Sequence, residues 1–187
     1  MSQKRVVIIL ADGFEEAEAV IPADVLKRLG CAVTLVGLND TVITGAHGIR
    51  ILADSLLADS DAGNADAVML PGGLPGATNL RDSALVTEIL RERNASGKIC
   101  AAICAAPAAL EHAGIVNGRR ITGYPGCERL SGNNALVFSG AKAERTENLV
   151  TGKGPGAAFH FAAALAESLG FPESDLNRLF DGMFVQL

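Results

Sequence analysis

The chain has 187 residues, 49% of them hydrophobic and 20% charged, with a net charge of −5. That length and balance suit one soluble domain, spanning 1–187, with a substantial core. The acidic balance, the lack of tryptophan and the single tyrosine argue against nucleic-acid binding by a basic face or a base-stacking platform, and no apolar run is long enough to span a bilayer.

Short β-branched runs alternate with helical segments, the pattern of an α/β domain with a largely parallel sheet. Residues 5–11 read as a buried first strand. The basic start before them resembles an export signal, but the apolar stretch ends at Asp12, so a reducing cytoplasm is expected. A helix over 14–29 is stopped by Gly30 in the C-cap role, and 31–38 form a second strand. Segments 41–44 and 48–53 read as a small antiparallel excursion, and 65–70 as a strand ending in Pro71-Gly72-Gly73. A polar-faced helix over 83–95 has Ser83 as its cap and Gly97 as its stop. Residues 98–103 form the next strand, and a helix over 105–113 follows it with no loop between. Beyond that, 120–123, 136–139 and 149–151 are short strand candidates. An alanine-rich helix over 156–169 and a shorter one over 173–184 close the chain.

The junction at 103–105 is the most informative point. A residue at so abrupt a strand-to-helix turn is pushed into a sparsely allowed backbone conformation with its side chain held out, and here that residue is Cys104. Small neighbours two positions either side, Ala102 and Ala106, let the chain fold this tightly, which is the logic of a nucleophile elbow with a thiol as nucleophile. Pro107 falls in the first helical turn, where its missing N–H costs little. A helix N-terminus favours thiolate over thiol, so an acidic thiol is expected. The other cysteines, Cys31, Cys100 and Cys127, show neither CxxC spacing nor a secreted disulfide density. With three histidines in the chain, none close to a cysteine in sequence, a zinc site is not expected.

Ligand sites of open α/β sheets lie beyond the carboxyl ends of the parallel strands, where three segments converge: 12–18, 71–73 and Cys104. Asp12-Gly-Phe-Glu15-Glu16-Ala-Glu18 puts carboxylates around a helix start, and dipole complementarity in a solvated turn suffices for Glu15 or Glu16. Glu18 differs, because it heads the apolar stripe Ile21, Val25 and Leu29. Buried near Cys104, it would have a raised pKa and could donate a hydrogen bond to a thiolate or act as general acid and base. The N–H groups of Gly72 and Gly73, with that of Ala105, are candidates for an oxyanion hole. Gly152-Lys153-Gly154-Pro155-Gly156 reads as a structural turn more than an anion loop.

Ile-Leu-Ala-Asp-Gly-Phe-Glu-Glu-Ala-Glu18, Val-Ile-Pro-Ala-Asp-Val, Leu-Pro-Gly-Gly73, Ala-Ala-Ile-Cys104-Ala-Ala-Pro and Gly-Pro-Gly156 occur in that order across nearly the whole chain. Together they resemble the ThiJ/PfpI superfamily, in the branch of Parkinson disease protein 7 and its bacterial relatives. The resemblance implies a flavodoxin-like three-layer sandwich and a homodimer packed around the first helix, with Glu15, Asp24 and Arg28 near the interface. It also implies an oxidation-prone Cys104 bonded by Glu18, with the N–H groups of Gly73 and Ala105 in the pocket. Departures from the family pattern fall at Ala105, where the protease-like branch has histidine after the cysteine; at Tyr124, before Pro125, where close relatives have histidine; and at Lys153 and His47, where relatives have arginines. Glu15, Tyr124, Lys153 and His47 are therefore the candidates for lining the pocket, and lysine lacks the bidentate fork of arginine.

The resemblance, taken with these residues, implies two functions. One is a cofactor-independent and metal-independent enzyme of glyoxalase III or deglycase type that converts methylglyoxal to lactate through Cys104 and Glu18. The alternative is an oxidative-stress sensor or redox-regulated chaperone in which Cys104 oxidises to the sulfinate. The substitutions at Tyr124 and Lys153 keep a third possibility in view, a relative of the same fold with a disabled site.

Overall fold

In a computed structural model, which describes residues 3–133 and 136–187, the first β-branched run becomes β1 (Arg5–Leu10), with five of its six residues buried. A strand so apolar needs cover on both faces, and the order of elements supplies it. After β1 come α1 (Glu16–Arg28), β2 (Ala32–Gly37), a hairpin of β3 (Val42–Thr44) and β4 (Arg50–Leu52), and the short β5 (Ser55–Leu56). The chain continues through β6 (Ala67–Leu70), α2 (Gly76–Asp82), α3 (Ala84–Ala95), β7 (Ile99–Ile103) and α4 (Pro107–His112). It ends with β8 (Ala143–Thr146), β9 (Leu149–Gly152), α5 (Ala158–Ser168) and α6 (Glu173–Gly182).

Seven strands form one sheet in the order β5-β2-β1-β6-β7-β9-β8. Every neighbouring pair is parallel except β8 with β9, while β3 and β4 form a separate antiparallel ribbon. The step from β1 to β2 and the step from β6 to β7 run in opposite directions across the sheet. Right-handed crossovers then put α1 on one face and α2 and α3 on the other. The packing agrees, since α1 lies on α5, and α2 and α3 lie on α4. The result is the flavodoxin-like α/β sandwich that the motifs implied.

The register decides where the site falls. Ile8 lies beside Met69, and Leu70 beside Ala102, so the chain leaves β1, β6 and β7 on a single sheet edge. The opposite edge carries Arg93 of α3, which is buried without an acidic partner in the described residues. Its guanidinium instead donates to the carbonyls of Ala62, Ala65, Asp66 and Ile99. A charge held by carbonyl oxygens satisfies backbone acceptors that would otherwise lie buried and unpaired.

Most boundaries match the sequence reading to within two residues, including the Ser83 cap, whose Oγ accepts the Val86 N–H. Five features differ, the smallest being the two-residue strand β5, which is too short to read from sequence. Helix α2 was hidden by Pro71-Gly-Gly-Leu-Pro-Gly76, whose turn residues mask a helix with only Gly76, Ala77 and Leu80 buried. Strand β8, Ala-Glu-Arg-Thr, is too polar to read as a strand, yet it pairs along the exposed edge of the sheet where that composition is at home. Residues 120–123 and 136–139 form no strand. They are tied by scattered bonds, Thr122 N–H to Thr151 Oγ1 and Ser139 N–H to the Ile121 carbonyl, in place of a ladder. No helix among the described residues is long and apolar enough to cross a membrane.

Candidate active site

Cys104 follows β7 directly, with φ 66°, in the left-handed region that a non-glycine residue occupies only at a cost of about 1–3 kcal/mol. Hydrogen bonds on both sides hold it there. Its N–H donates to the Gly152 carbonyl at 2.9 Å, and its carbonyl accepts the Tyr124 N–H at 2.7 Å. Ala102 and Ala106 are fully buried, as the tight turn requires. The sequence expectation of a strained elbow is met.

Glu18 is fully buried. The loop after β6 reaches it: the Gly72 N–H donates to Glu18 Oε2 at 2.8 Å, and Oε1 has no hydrogen-bond partner among the described residues. A Cβ built on Gly72 would lie 2.5 Å from Cys104 Cβ, 2.7 Å from Glu18 Oε2 and 3.0 Å from Ala105 N. Thiol, carboxyl and two backbone N–H groups therefore surround one point that only a glycine leaves open. Gly73, at φ 84°, could take no side chain either, since a Cβ there would meet Glu15 N at 2.3 Å. Its N–H faces the Cys104 sulfur and favours the ionised form there. Catalytic candidates Cys104 and Glu18 and backbone candidates Gly72, Gly73 and Ala105 thus come together from the elbow after β7, the first turn of α1 and the loop after β6.

The electrostatics correct one expectation. Burial raises the Glu18 pKa to about 7, and the charge of Glu15 adds to it, while the interactions with Cys104 and the Gly72 N–H pull it down. The Cys104 thiol is not acidic: burial and then the adjacent Glu18 push it up, against the Gly73 N–H. The helix that was expected to favour a thiolate, α4, has only six residues and begins three positions later, so desolvation outweighs its dipole. Two negative charges cannot share this site, so thiol and carboxyl lose their first proton as a pair near neutrality.

The raised Glu18 pKa makes a stability prediction. The folded protein holds a proton that the unfolded chain, titrating near 4.5, releases, so the contribution of Glu18 to stability is full below pH 4.5 and is lost as pH rises through about 7. The loss is about 3 kcal/mol. Urea unfolding at pH 5 and pH 8 should show this slope in the wild type and its absence in Glu18→Gln; equal slopes would place the proton elsewhere.

Beside this centre stands one residue that the sequence reading misjudged. Glu16 does not lie in a solvated first turn. It is 6% exposed, and its Oε1 accepts the N–H groups of His47 at 2.8 Å and Ile49 at 3.4 Å, with His47 Nδ1 at 2.8 Å from Oε2. Burial opposes its ionisation, but the bonds from the His47 ring and from backbone N–H groups outweigh it and bring its pKa to about 2. Glu16 thereby pins the β3–β4 hairpin to the start of α1. Only the tight Gly45-Ala-His-Gly48 turn hinted at this, since a Cβ on Gly45 would lie 2.3 Å from that carboxylate.

The remaining candidates lie outside the thiol and carboxyl cluster, and Asp24 and Arg28 fall toward the far end of α1 from Glu18. His47 is exposed, with its pKa raised by Glu16 and then by Glu15, whose Oε2 is 3.6 Å away. Glu15, Glu16 and His47 are the residues whose donor atoms come within 4.8 Å of one another. Glu16 is already satisfied by N–H donors, so the cluster is closed on itself. Tyr124 joins the elbow through its backbone, while its half-exposed ring lies over Gly154, 3.2 Å from a Cβ built there. The Lys153 ammonium donates to the Gly140 carbonyl at 3.3 Å. Asp24 and Arg28 pair with each other at 2.9 Å on the exposed side of α1.

A strained cysteine at the carboxyl edge of a doubly wound sheet, with a buried carboxyl against it, defines a class of α/β proteins built around a strand-to-helix elbow. The chain belongs to the DJ-1/PfpI family, whose pattern matches residues 4–168. It is 40% identical over 172 residues to the Parkinson disease protein 7 homolog of Danio rerio, covering 90% of this chain and 91% of that protein. It is 32% identical over 173 residues to the glutathione-independent glyoxalase DJR-1.2 of Caenorhabditis elegans, covering 92% of each. The crystal structure of Drosophila melanogaster DJ-1beta superposes with a TM-score of 0.91 at 37% identity, covering 99% of this chain and 100% of that one.

Proposed function

We propose that the protein is a cofactor-independent cysteine enzyme acting on small reactive aldehydes, converting methylglyoxal to lactate. The observation that carries this reading is the Glu18 carboxyl, wholly buried beside Cys104 with a pKa of about 7. At that pKa one group can both take and return a proton at neutral pH. The name of the Caenorhabditis elegans relative, a glutathione-independent glyoxalase, supports the substrate class.

The thiol begins neutral. As the sulfur adds to the aldehyde carbon, Glu18 takes the thiol proton and returns it to the new oxygen, which the N–H groups of Gly73 and Ala105 steady. The Glu18 carboxylate then removes the hydrogen from that carbon as a proton, giving an enediolate. It delivers that proton to the neighbouring carbon, while the hydroxyl proton passes from the first oxygen to the second. The first carbon is oxidised as the second is reduced, so no external electron carrier is needed. The resulting lactoyl thioester is hydrolysed by water, and the thiol is restored. Release of lactate from methylglyoxal by the purified protein, without glutathione, tests the reading. A preparation that consumes no methylglyoxal while Cys104 remains reduced would reject it.

We propose also that the chain acts as a cytoplasmic homodimer through α1 and the hairpin. Val20 on α1 and Val42, Ile49 and Leu52 on the hairpin are large apolar side chains left between 48% and 74% exposed, beside the Asp24–Arg28 pair. Light scattering on the eluted protein should give twice the chain mass, and Val20→Glu should shift it toward the monomer. A monomeric wild type at micromolar concentration would overturn the assignment.

A further inference from the structure

Three thiols besides Cys104 lie in the described chain, and their places differ. Cys31 immediately precedes β2, and Cys100 is the second residue of β7. Both therefore lie toward the amino ends of parallel strands, the sheet edge opposite the elbow. Both are buried, and burial is the first cause that pushes each thiol up, to about 11. Cys127 is different on every count. It opens a five-residue 3-10 turn, Cys127–Ser131, that packs on α4, and it is only partly buried.

Two consecutive hydrogen bonds carry that turn back to the elbow. The Cys127 N–H donates to the Tyr124 carbonyl at 3.0 Å, and the Tyr124 N–H donates to the Cys104 carbonyl at 2.7 Å. The stretch from Tyr124 to Cys127 is thus hung from the backbone of Cys104 itself. The charge of Cys127 bears on the Cys104 thiol, and that of Glu18 bears on the Cys127 thiol. The turn sits between two glycines in left-handed conformation, Gly126 at φ 91° and Gly132 at φ 78°. Adjustment of the Cys127 thiol is therefore confined to one short segment with a permissive residue at each end. A bridge requires the two Cα atoms within about 7 Å.

We propose that Cys127 is the resolving thiol for Cys104, closing a reversible disulfide over the active site after a peroxide oxidises the elbow cysteine. The inference rests on the reading of Cys104 as the reactive group. In the first step the Cys104 sulfur attacks hydrogen peroxide and its proton passes to Glu18. The O–O bond breaks, sulfur is oxidised by two electrons to the sulfenic acid, and peroxide is reduced to water. In the second step the Cys127 sulfur displaces the hydroxyl of that sulfenic acid. A second water leaves with the Cys127 proton, and the sulfur–sulfur bond forms. Two electrons leave the protein as two thiols become one disulfide, which balances the one peroxide consumed. The bridge intercepts the sulfenic acid before a second peroxide can carry it to the sulfinate, which ordinary thiols do not reduce. A dithiol would reopen the bridge by exchange.

Peptide mass spectrometry under non-reducing conditions tests this, after two equivalents of peroxide and alkylation of the free thiols. The wild type should yield a Cys104–Cys127 linked peptide lacking two hydrogens, with Cys31 and Cys100 alkylated. Its turnover should be lost on oxidation and recovered with dithiothreitol. Cys127→Ser should instead accumulate two added oxygens on Cys104 and recover no turnover with dithiothreitol. A wild type that carries two added oxygens on Cys104 with Cys127 fully alkylated would overturn the resolving role while leaving the reactive Cys104 intact. A wild type in which Cys104 itself is alkylated after peroxide would overturn both.

Discussion

Cys104→Ser should reduce methylglyoxal turnover by about three orders of magnitude or more without unfolding the protein, because the change removes the nucleophile and leaves the elbow's shape. A hydroxyl occupies nearly the volume of the thiol, and the backbone bonds to Gly152 and Tyr124 that hold the turn are untouched. The serine oxygen is much harder to deprotonate than the sulfur, and the base available to it, Glu18, has a pKa of about 7. Glu18→Gln should cost about 10²–10⁴-fold and should also change the pH profile. In the wild type, turnover should rise as pH passes through about 7, where the Glu18 carboxylate forms. In the glutamine variant that limb should disappear. Equal turnover in the serine variant, or an ascending limb that survives Glu18→Gln, would reject the assignment of nucleophile and base. The serine variant is expected to unfold at the wild-type urea midpoint, which separates lost chemistry from lost structure.

Much of this site was legible in the chain because its geometry is written in local chemistry. The elbow could be read from an apolar strand that meets an alanine-rich helix with no loop, and Glu18 from a carboxylate on an otherwise apolar stripe. Both signals are departures from a period, and both were resolved by burial, with Cys104 at 9% exposure and Glu18 at 0%. The proton affinity of the sulfur was not legible. Sequence shows that a helix follows the cysteine but not how many turns it has, nor how deeply the thiol is desolvated, and these two quantities decide the sign. Glu16 was misjudged for a related reason. Its partners, His47 and Ile49, lie 31 and 33 residues away, and no local pattern distinguishes an acid that caps a distant hairpin from one that faces water. Strand β8 and helix α2 were missed where composition contradicts the element. An edge strand is allowed to be polar, and a helix can start inside a run of turn residues when its N–H groups find loop carbonyls, as the Ala77 N–H finds that of Gly73.

Gly72→Ala joins fold and chemistry in one methyl group, and its expected effect reaches both stability and turnover. The added Cβ would stand 2.5 Å from Cys104 Cβ, 2.7 Å from Glu18 Oε2 and 3.0 Å from Ala105 N. No neighbour can yield cheaply. Ala105 N is backbone, Cys104 Cβ is fixed by a strained φ, and Glu18 Oε2 is held by the Gly72 N–H itself. Relief must come by moving the loop after β6 away from the elbow, which withdraws the N–H groups of Gly72 and Gly73 from the carboxyl and the sulfur. Overpacking of this kind costs about 1–3 kcal/mol or more. A displacement near 1 Å at the reacting atoms is enough to lower turnover by about 10²-fold. Gly63→Ala supplies the contrast, since a Cβ there meets nothing within 4 Å, and it should leave both stability and turnover near the wild type, within about 0.5 kcal/mol. The two effects of Gly72→Ala should also be linked through Glu18. With its backbone donor withdrawn, the buried carboxylate loses a stabilising bond, so its pKa should rise and the ascending limb of the pH profile should move to higher pH. A Gly72→Ala protein with wild-type turnover and an unmoved limb would show that the loop does not press on the thiol and the acid as the distances require.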